Sequence, residues 1–247
     1  MNFIYGVLGK KLSHSFSRNY FEKKFEDLDL NDHQYQNFEF ENLKDFFEML
    51  KENTKIKGFN ITNPYKEEII PYLDEITEET KAIGAVNCVK IENGRKKGYN
   101  TDVYGFAQSI KPFLEPVHER ALILGTGGAA KAVAHALKGV GVDVYFVTSQ
   151  PEKKKDKIFL YSELGEQHMR SFKLIVNATP LGMYPEMERY PELPYDFIGK
   201  EHLCYDLIYN PDATLFLKKC EAGGATIMNG LSMLHLQAEK AWEIWKG

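Results

Sequence analysis

The stretch ALILGTGGAAKAVAHAL, residues 121–137, restricts the fold more than any other part of the chain. Ala121–Leu124 is an apolar run without polar interruption, the pattern of a parallel strand buried on both faces. Gly125 and Gly127 follow at once, and Ala130 completes G-x-G-x-x-A at the opening of a helix expected over Ala129–Lys138. A strand that turns this sharply into a helix needs glycine at the turn. A second glycine lets backbone N–H groups approach a pyrophosphate, and the helix N-terminus faces the negative charge. Strand, turn and helix together read as the phosphate cradle of a dinucleotide-binding sheet. The plainer alternative is a glycine turn selected for close packing.

The next expected strand, Asp143–Thr148, bears on which dinucleotide. An acid ~20 residues past the glycines would hold the ribose 2′-OH of NAD. Here the tip reads Thr148-Ser149-Gln150, and no acid precedes Glu152. Hydroxyls, an amide and the following Lys153-Lys154-Lys155 suit a 2′-phosphate, which favours NADP. A solvated loop is the other reading of the lysines.

The remaining pattern alternates. Strands are expected at Phe3–Leu8, His33–Phe40 and Phe59–Thr62, with helices at Arg18–Phe25, Leu43–Leu50 and Tyr65–Leu73. Ala85–Ile91 and Lys96–Asn100 flank Glu92-Asn93-Gly94-Arg95, a hairpin signal. A helix over Val103–Phe113 precedes Glu115–Arg120, a candidate connection between domains. After the glycine turn come strands at Lys173–Ala178, Leu203–Ile208 and Thr226–Met228, and helices at Thr214–Ala222 and Leu231–Trp245. Such alternation implies an α/β fold with parallel sheets and helices on their faces.

Composition narrows the function classes. With 247 residues and a net charge of −4, the chain is not expected to bind nucleic acid. No apolar stretch approaches the ~20 residues that cross a bilayer, so no membrane role is expected. The start, MNFIYGVLGKK, has neither a basic n-region nor a small-residue cleavage site, so no signal peptide is expected. Cys88, Cys204 and Cys220 are scattered and odd in number, which fits a reducing cytoplasm. The seven histidines form no HExxH, so no metal is expected.

Four polar clusters in the first half are not explained by strand or helix patterning. LSHSFSRN supplies His14, Ser15 and Ser17; NITNPYK supplies Asn60, Thr62 and Lys66; IGAVN ends on Asn87; and GYNTD supplies Asn100, Thr101 and Asp102. Several fall at carboxyl ends of expected strands, where α/β sheets bind ligands. Hydroxyl and amide side chains there suit a small polyhydroxylated or carboxylated substrate. Singly, each has a plainer reading: Ser15 or Ser17 as a helix cap, Asp102 as the N-cap of the next helix. Lys66 is the odd residue, a cation in a first helical turn, where it opposes the helix dipole. The plain reading is a solvated surface lysine.

Taken together, HSFS, NITNPYKEE, IGAVN, YNTD, GTGGAAKA, NATPLGM, YDLIYNP and NGLSMLHLQA resemble the shikimate dehydrogenase family, in that family's order and over nearly the whole chain. The resemblance implies an N-terminal α/β substrate domain (1–102, completed by 231–247) and a Rossmann-type doubly wound NADP-binding domain (103–230), with the C-terminal helix returning to the substrate domain. It implies NADPH-dependent reduction of 3-dehydroshikimate to shikimate in aromatic amino-acid biosynthesis, by a cytoplasmic monomer or homodimer. Ser15, Ser17 and Tyr209 would meet the substrate carboxylate. Thr62, Lys66, Asn87 and Asp102 would hold the ring hydroxyls, and Gln237 would reach in from the last helix. Gly125, Thr126, Gly127, Gly128 and Ala129 would cradle the pyrophosphate, with Thr148, Ser149 and Thr179 also at the cofactor and Leu207 and Gly230 near the nicotinamide. Lys66 and Asp102 would be the catalytic pair, the lysine delivering a proton to the developing alkoxide and the aspartate holding its ammonium. The family often reads Asn-Arg-Thr where this chain has Thr148-Ser149-Gln150, so the arginine expected on the 2′-phosphate is missing. Prolines common in the family's first loop are replaced by Lys11 and Arg18. Competing readings are a quinate/shikimate dehydrogenase paralogue using NAD or a broader substrate range, a non-catalytic dinucleotide-binding regulator, and a folate-linked dehydrogenase. The HSFS and YNTD pairing argues against the last.

Overall fold

A computed structural model describes residues 3–12 and 16–247. The chain divides into two compact units, one comprising residues up to Thr101 together with Ala238–Gly247, the other Asp102–Gln237. The junctions expected from the sequence lay after Asp102 and after Gly230.

The first unit contains, in chain order, β1 (Phe3–Gly9), α1 (Phe16–Asp27), β2 (His33–Glu39), α2 (Leu43–Glu52), β3 (Ile56–Ile61), α3 (Tyr65–Glu68), β4 (Glu75–Ile76), α4 (Glu78–Ile83), β5 (Cys88–Glu92) and β6 (Arg95–Tyr99). Its sheet runs β2-β1-β3-β5-β6-β4. β1 pairs parallel with β2 and β3, but β5 is antiparallel to both β3 and β6. The expectation of a parallel sheet therefore fails on this side. The cause is the hairpin: Asn93 and Gly94 both have positive φ, 51° and 77°, the conformation that reverses a strand in two residues.

Side chains of β1 alternate between two cores, as a period of two requires. Ile4 and Leu8 pack with Phe46, Phe59 and Ile69, whereas Tyr5 and Val7 pack with Phe21, Tyr35 and Trp245. Trp245 closes the second core, and its indole N–H donates to the Val89 carbonyl at 2.9 Å. The helix expected over Tyr65–Leu73 stops at Glu68 and continues as a 3-10 turn, Ile70–Tyr72. Pro71 has no N–H to donate, and in an α-helix its ring would strike the Glu67 carbonyl. β4 and α4 were not expected. α4 is defined by its ends, with the Thr77 hydroxyl accepting from the Thr80 N–H and Gly84 at φ 71° closing it.

The second unit contains most of α5 (Thr101–Ile110), then β7 (Arg120–Leu124), α6 (Gly128–Gly139), β8 (Asp143–Thr148), β9 (Ile158–Leu160), α7 (Glu166–Ser171), β10 (Leu174–Asn177), β11 (Leu203–Asp206), α8 (Leu215–Ala222), β12 (Thr226–Met228) and the start of α9 (Leu231–Lys246). All its strand pairs are parallel, in the order β12-β11-β10-β7-β8-β9. Counted from β7, this is the doubly wound order 3-2-1-4-5-6, whose direction reverses between β7 and β10. The central strands Ala121–Leu124 and Leu174–Asn177 are fully buried, as the unbroken apolar runs Ala121–Leu124 and Leu174–Val176 require. β9 and α7 escaped the sequence reading because both are short and only partly buried. Among the described residues, no helix is long and apolar enough to cross a membrane.

Candidate functional site

In the first unit, the hairpin brings distant motifs to one end of the sheet. Because β5 runs against β3, Asn87 at the amino start of β5 lies beside the carboxyl end of β3, and the end of β6 returns to the same place. The strand expected over Ala85–Ile91 begins at Cys88, so Asn87 immediately precedes it. The backbone ties are direct: the Ile61 N–H donates to the Asn87 carbonyl at 2.8 Å, and the Val86 N–H donates to the Lys66 carbonyl at 2.7 Å.

A buried polar chain runs along this end. Ser17, half-buried in the first turn of α1, hydrogen-bonds the Tyr35 phenol, which donates to Asn60 Oδ1 at 2.9 Å. The Asn60 amide donates to the Asn87 carbonyl at 3.3 Å. Asn87 Oδ1 then accepts from the Thr101 N–H at 2.6 Å, and its amide donates to Thr101 Oγ1 at 3.0 Å. Burial pushes the Tyr35 phenol well above its ordinary pKa, while its Ser17 bond acts in the opposite direction, so it remains a neutral donor. The Asn87–Thr101 pair satisfies an otherwise orphaned N–H at the start of α5 and fixes where Asp102 enters the helix. Asp102 is buried there, while Thr62 and Lys66 are half-buried. Ser15 lies outside the described residues.

In the second unit, the carboxyl ends of β7, β8 and β10 surround a cavity of about 920 Å³ at the point where strand order reverses. Gly125 turns at φ 102°, and a Cβ on it would stand 3.2 Å from the Ala178 carbonyl oxygen and from Thr179 Cγ2. Gly127 caps α6 without a side-chain bond, leaving the first N–H groups of Gly128 and Ala129 free of a capping side chain. Thr126, Thr148, Ser149, Thr179 and Lys153 line the cavity. Thr148 is the last residue of β8, and its hydroxyl accepts from the Gln150 N–H at 3.1 Å. Lys153 Nζ reaches to 3.5 Å from Thr126 Oγ1, whereas Lys154 is ion-paired with Glu163. Arg189 and Tyr161 also line the cavity, and neither was picked out from the sequence.

A second polar network sits at the ends of β10 and β11. Asp206 is fully buried and accepts from Thr214 Oγ1 at 2.6 Å, the Ile208 N–H at 3.0 Å and Asn177 Nδ2 at 3.1 Å. Asn177 Oδ1 in turn accepts from Thr179 Oγ1 at 2.7 Å. Burial raises the Asp206 carboxyl to about 6 despite these donors. The network shapes two loops at once, since the Leu207 N–H also donates to the Asn177 carbonyl and the Gly230 N–H to the Ile208 carbonyl, both at 3.0 Å. Sequence reasoning singled out Leu207, Tyr209 and Gly230 in these loops but passed over Asp206. The signal available was an acid closing an apolar strand. Tyr209 is half-buried, and Gln237 is buried on α9 with its amide donating to the Leu234 carbonyl at 3.0 Å.

Comparison with known proteins agrees with both halves. Residues 7–89 match the family description "Shikimate dehydrogenase substrate binding domain". The chain is 39% identical over 259 residues to shikimate dehydrogenase (NADP(+)) of Caldanaerobacter subterraneus, covering 99% of this chain and 91% of that one. It superposes with a TM-score of 0.87 and 33% identity on the crystal structure of Thermus thermophilus shikimate 5-dehydrogenase in complex with NADP(H) and shikimate, covering 99% and 94% of the two chains. It superposes equally well, at 0.87 but 25% identity, on quinate dehydrogenase from Corynebacterium glutamicum in complex with NAD, covering 100% and 94%. Fold alone therefore does not separate the two activities; sequence identity leans to the first.

Proposed function

The chain belongs to the shikimate dehydrogenase family, and from that premise we propose that it reduces 3-dehydroshikimate to shikimate with NADPH. The observation that carries the reading is the buried chain from Ser17 to Thr101, which brings Ser17, Asn60, Asn87 and Thr101, one residue from each of the four polar clusters, to one sheet end. Four motifs separated in sequence have no packing reason to converge with their hydroxyls and amides together. A polyhydroxylated substrate supplies one.

The second unit fits the cofactor. The close approach at Gly125, the uncapped start of α6 and the cavity of about 920 Å³ suit a dinucleotide pyrophosphate. When bound, NADPH supplies a hydride to the substrate carbonyl carbon. Lys66 then stabilises the negative charge developing on the carbonyl oxygen and donates the proton that makes it a hydroxyl. Asp102 holds the ammonium and bonds the same hydroxyl region. Thr62 and Asn87 orient the ring hydroxyls, Ser15, Ser17 and Tyr209 take the carboxylate, and Gln237 completes the substrate contacts. Thr179, Leu207 and Gly230 position the cofactor. For the 2′-phosphate we assign Lys153, which lines the cavity with its ammonium beside Thr126, while Lys154 is engaged by Glu163.

A second reading, an enzyme that also accepts NAD or quinate, is favoured by the missing arginine at Thr148-Ser149-Gln150. Initial rates of NADP⁺ and NAD⁺ reduction with shikimate and with quinate separate the two. Turnover confined to shikimate and NADP⁺ supports the main reading, and loss of NADP⁺ preference in Lys153→Ala supports the lysine assignment. Comparable rates with NAD⁺ or quinate establish the broader enzyme. No turnover with any pair refutes both.

A further inference from the structure

The first unit has another cavity, of about 710 Å³, at the opposite end of its sheet. Ile56, which opens β3, lines it, whereas Thr62 follows the end of that strand; six strand residues, about 20 Å, lie between this cavity and the residues of the proposed activity. Its apolar lining comes from Phe47, Leu50, Ile56 and Ile91. Tyr72 adds an aromatic wall, stacked on Phe47 with centroids 4.7 Å apart and planes inclined by 10°, and its side chain is still 41% exposed.

The polar lining is one-sided. Lys44, Lys51, Lys57 and Lys96 face a single carboxylate, Glu48, in a chain whose net charge is −4. Two of these cations are engaged: Lys51 pairs with Glu48 at 2.8 Å, and Lys96 pairs with Asp74 at 2.7 Å. Lys57 donates to the Thr54 carbonyl at 3.1 Å. Among the described residues, neither Lys57 nor Lys44 has a carboxylate partner. An apolar, aromatic-walled cavity of several hundred Å³ with a few convergent polar groups is the form small-molecule sites take. The two ammonium groups without a carboxylate partner leave this apolar-floored cavity positively charged on an acidic chain.

We propose that this cavity is a second ligand site, for a planar aromatic carboxylate whose ring lies among Phe47, Tyr72, Ile56 and Ile91 and whose carboxylate meets Lys44 and Lys57. The apolar walls select a flat hydrocarbon ring, and the two available ammonium groups select a negative charge.

The test is calorimetric titration of the full chain with 2-naphthoate and with its neutral analogue 2-naphthamide. The expected result is one saturable site for the acid with Kd below about 1 mM, unchanged when NADP⁺ and shikimate are both present. The amide should bind several-fold more weakly. Lys44→Glu combined with Lys57→Glu should weaken the acid by about tenfold or more, because two attractive contacts become repulsive. Neither substitution breaks an ion pair, and an unchanged melting curve confirms that the variant is folded. Absence of a saturable site, equal affinity for acid and amide, insensitivity to the lysine variant, or displacement by NADP⁺ or shikimate would each overturn the proposal. The titration reads binding rather than turnover, so its outcome is independent of the dehydrogenase assignment.

Discussion

Asp206→Asn gives a test of the buried network in which sign and magnitude are both set by the structure. The Asp206 carboxyl is raised by burial from 3.8 to about 6, because the donors from Thr214, Ile208 and Asn177 only partly replace lost hydration. Between those values the folded protein holds a proton that the unfolded chain has released. Stability contributed by this group is therefore complete below 3.8 and is lost as the pH rises through about 6. A difference of about two pKa units is worth roughly 3 kcal/mol at neutral pH. Asparagine is a neutral isostere of the protonated acid. Its oxygen keeps the Ile208 and Asn177 donors, and its amide faces Thr214 Oγ1, which must turn to accept. If half of the gain survives that exchange, about 1.5 kcal/mol remains, which is about 3–6 °C in Tm for a chain of this size. Thermal unfolding of both proteins from pH 4.5 to 8, followed by circular dichroism, reads the difference directly, since all other titrating groups cancel. The variant should melt higher at pH 7.5, and its advantage should shrink towards pH 4.5. A difference that does not change with pH, or a variant that loses ground as the pH rises, would show that burial does not disfavour the Asp206 carboxylate in this way.

Lys66→Ala should lower kcat by about 10²–10⁴-fold, the usual loss for one positioned acid, with shikimate binding changed far less; an unchanged kcat in steady-state assays would remove the lysine from the chemistry. Asp102→Asn should also lose rate while NADP⁺ affinity, read by fluorescence titration, is retained, and full turnover would leave it only a residue of the helix start. Gly125→Ala forces φ near 102° on a residue with a Cβ, at about 1–2 kcal/mol, and sets that carbon 3.2 Å from the Ala178 carbonyl oxygen. NADP⁺ binding should fall at least several-fold with shikimate binding intact, and equal losses of both would point to general unfolding. Asn87→Ala leaves the buried Thr101 N–H unpaired, so urea denaturation should show a loss of about 1–3 kcal/mol; no loss would mean that water replaces the amide.

Much of the cofactor side was legible because its determinants are local. Gly125, Gly127 and Ala130 carry their conformational and packing demands within one turn, so strand, turn and helix follow without reference to the rest of the chain. The Asn93-Gly94 hairpin was legible for the same reason, yet its consequence was not drawn. A reversed β5 turns the whole first sheet from parallel to mixed and sets Asn87, just before its start, beside the carboxyl end of β3. Pro71 was likewise visible in the sequence, and its effect on the helix after Pro64 follows from the missing N–H.

The sequence by itself determined where chain direction changes, which strands are buried on both faces and which residue types cluster, because glycine, proline and apolar period act over a few residues. Tertiary structure decided which clusters share a place. Tyr35 lies at no motif, yet its phenol joins Ser17 to Asn60 across α1, β2 and β3. Asp206 reads as an ordinary acid until burial at the end of β11 surrounds it with three donors and raises its pKa. The four lysines around Phe47 and Tyr72 come from α2, β3, β6 and no common motif. Hydrogen bonds, desolvation and grouped charge depend on distance in space, and sequence separation carries no record of that distance until the sheet has formed.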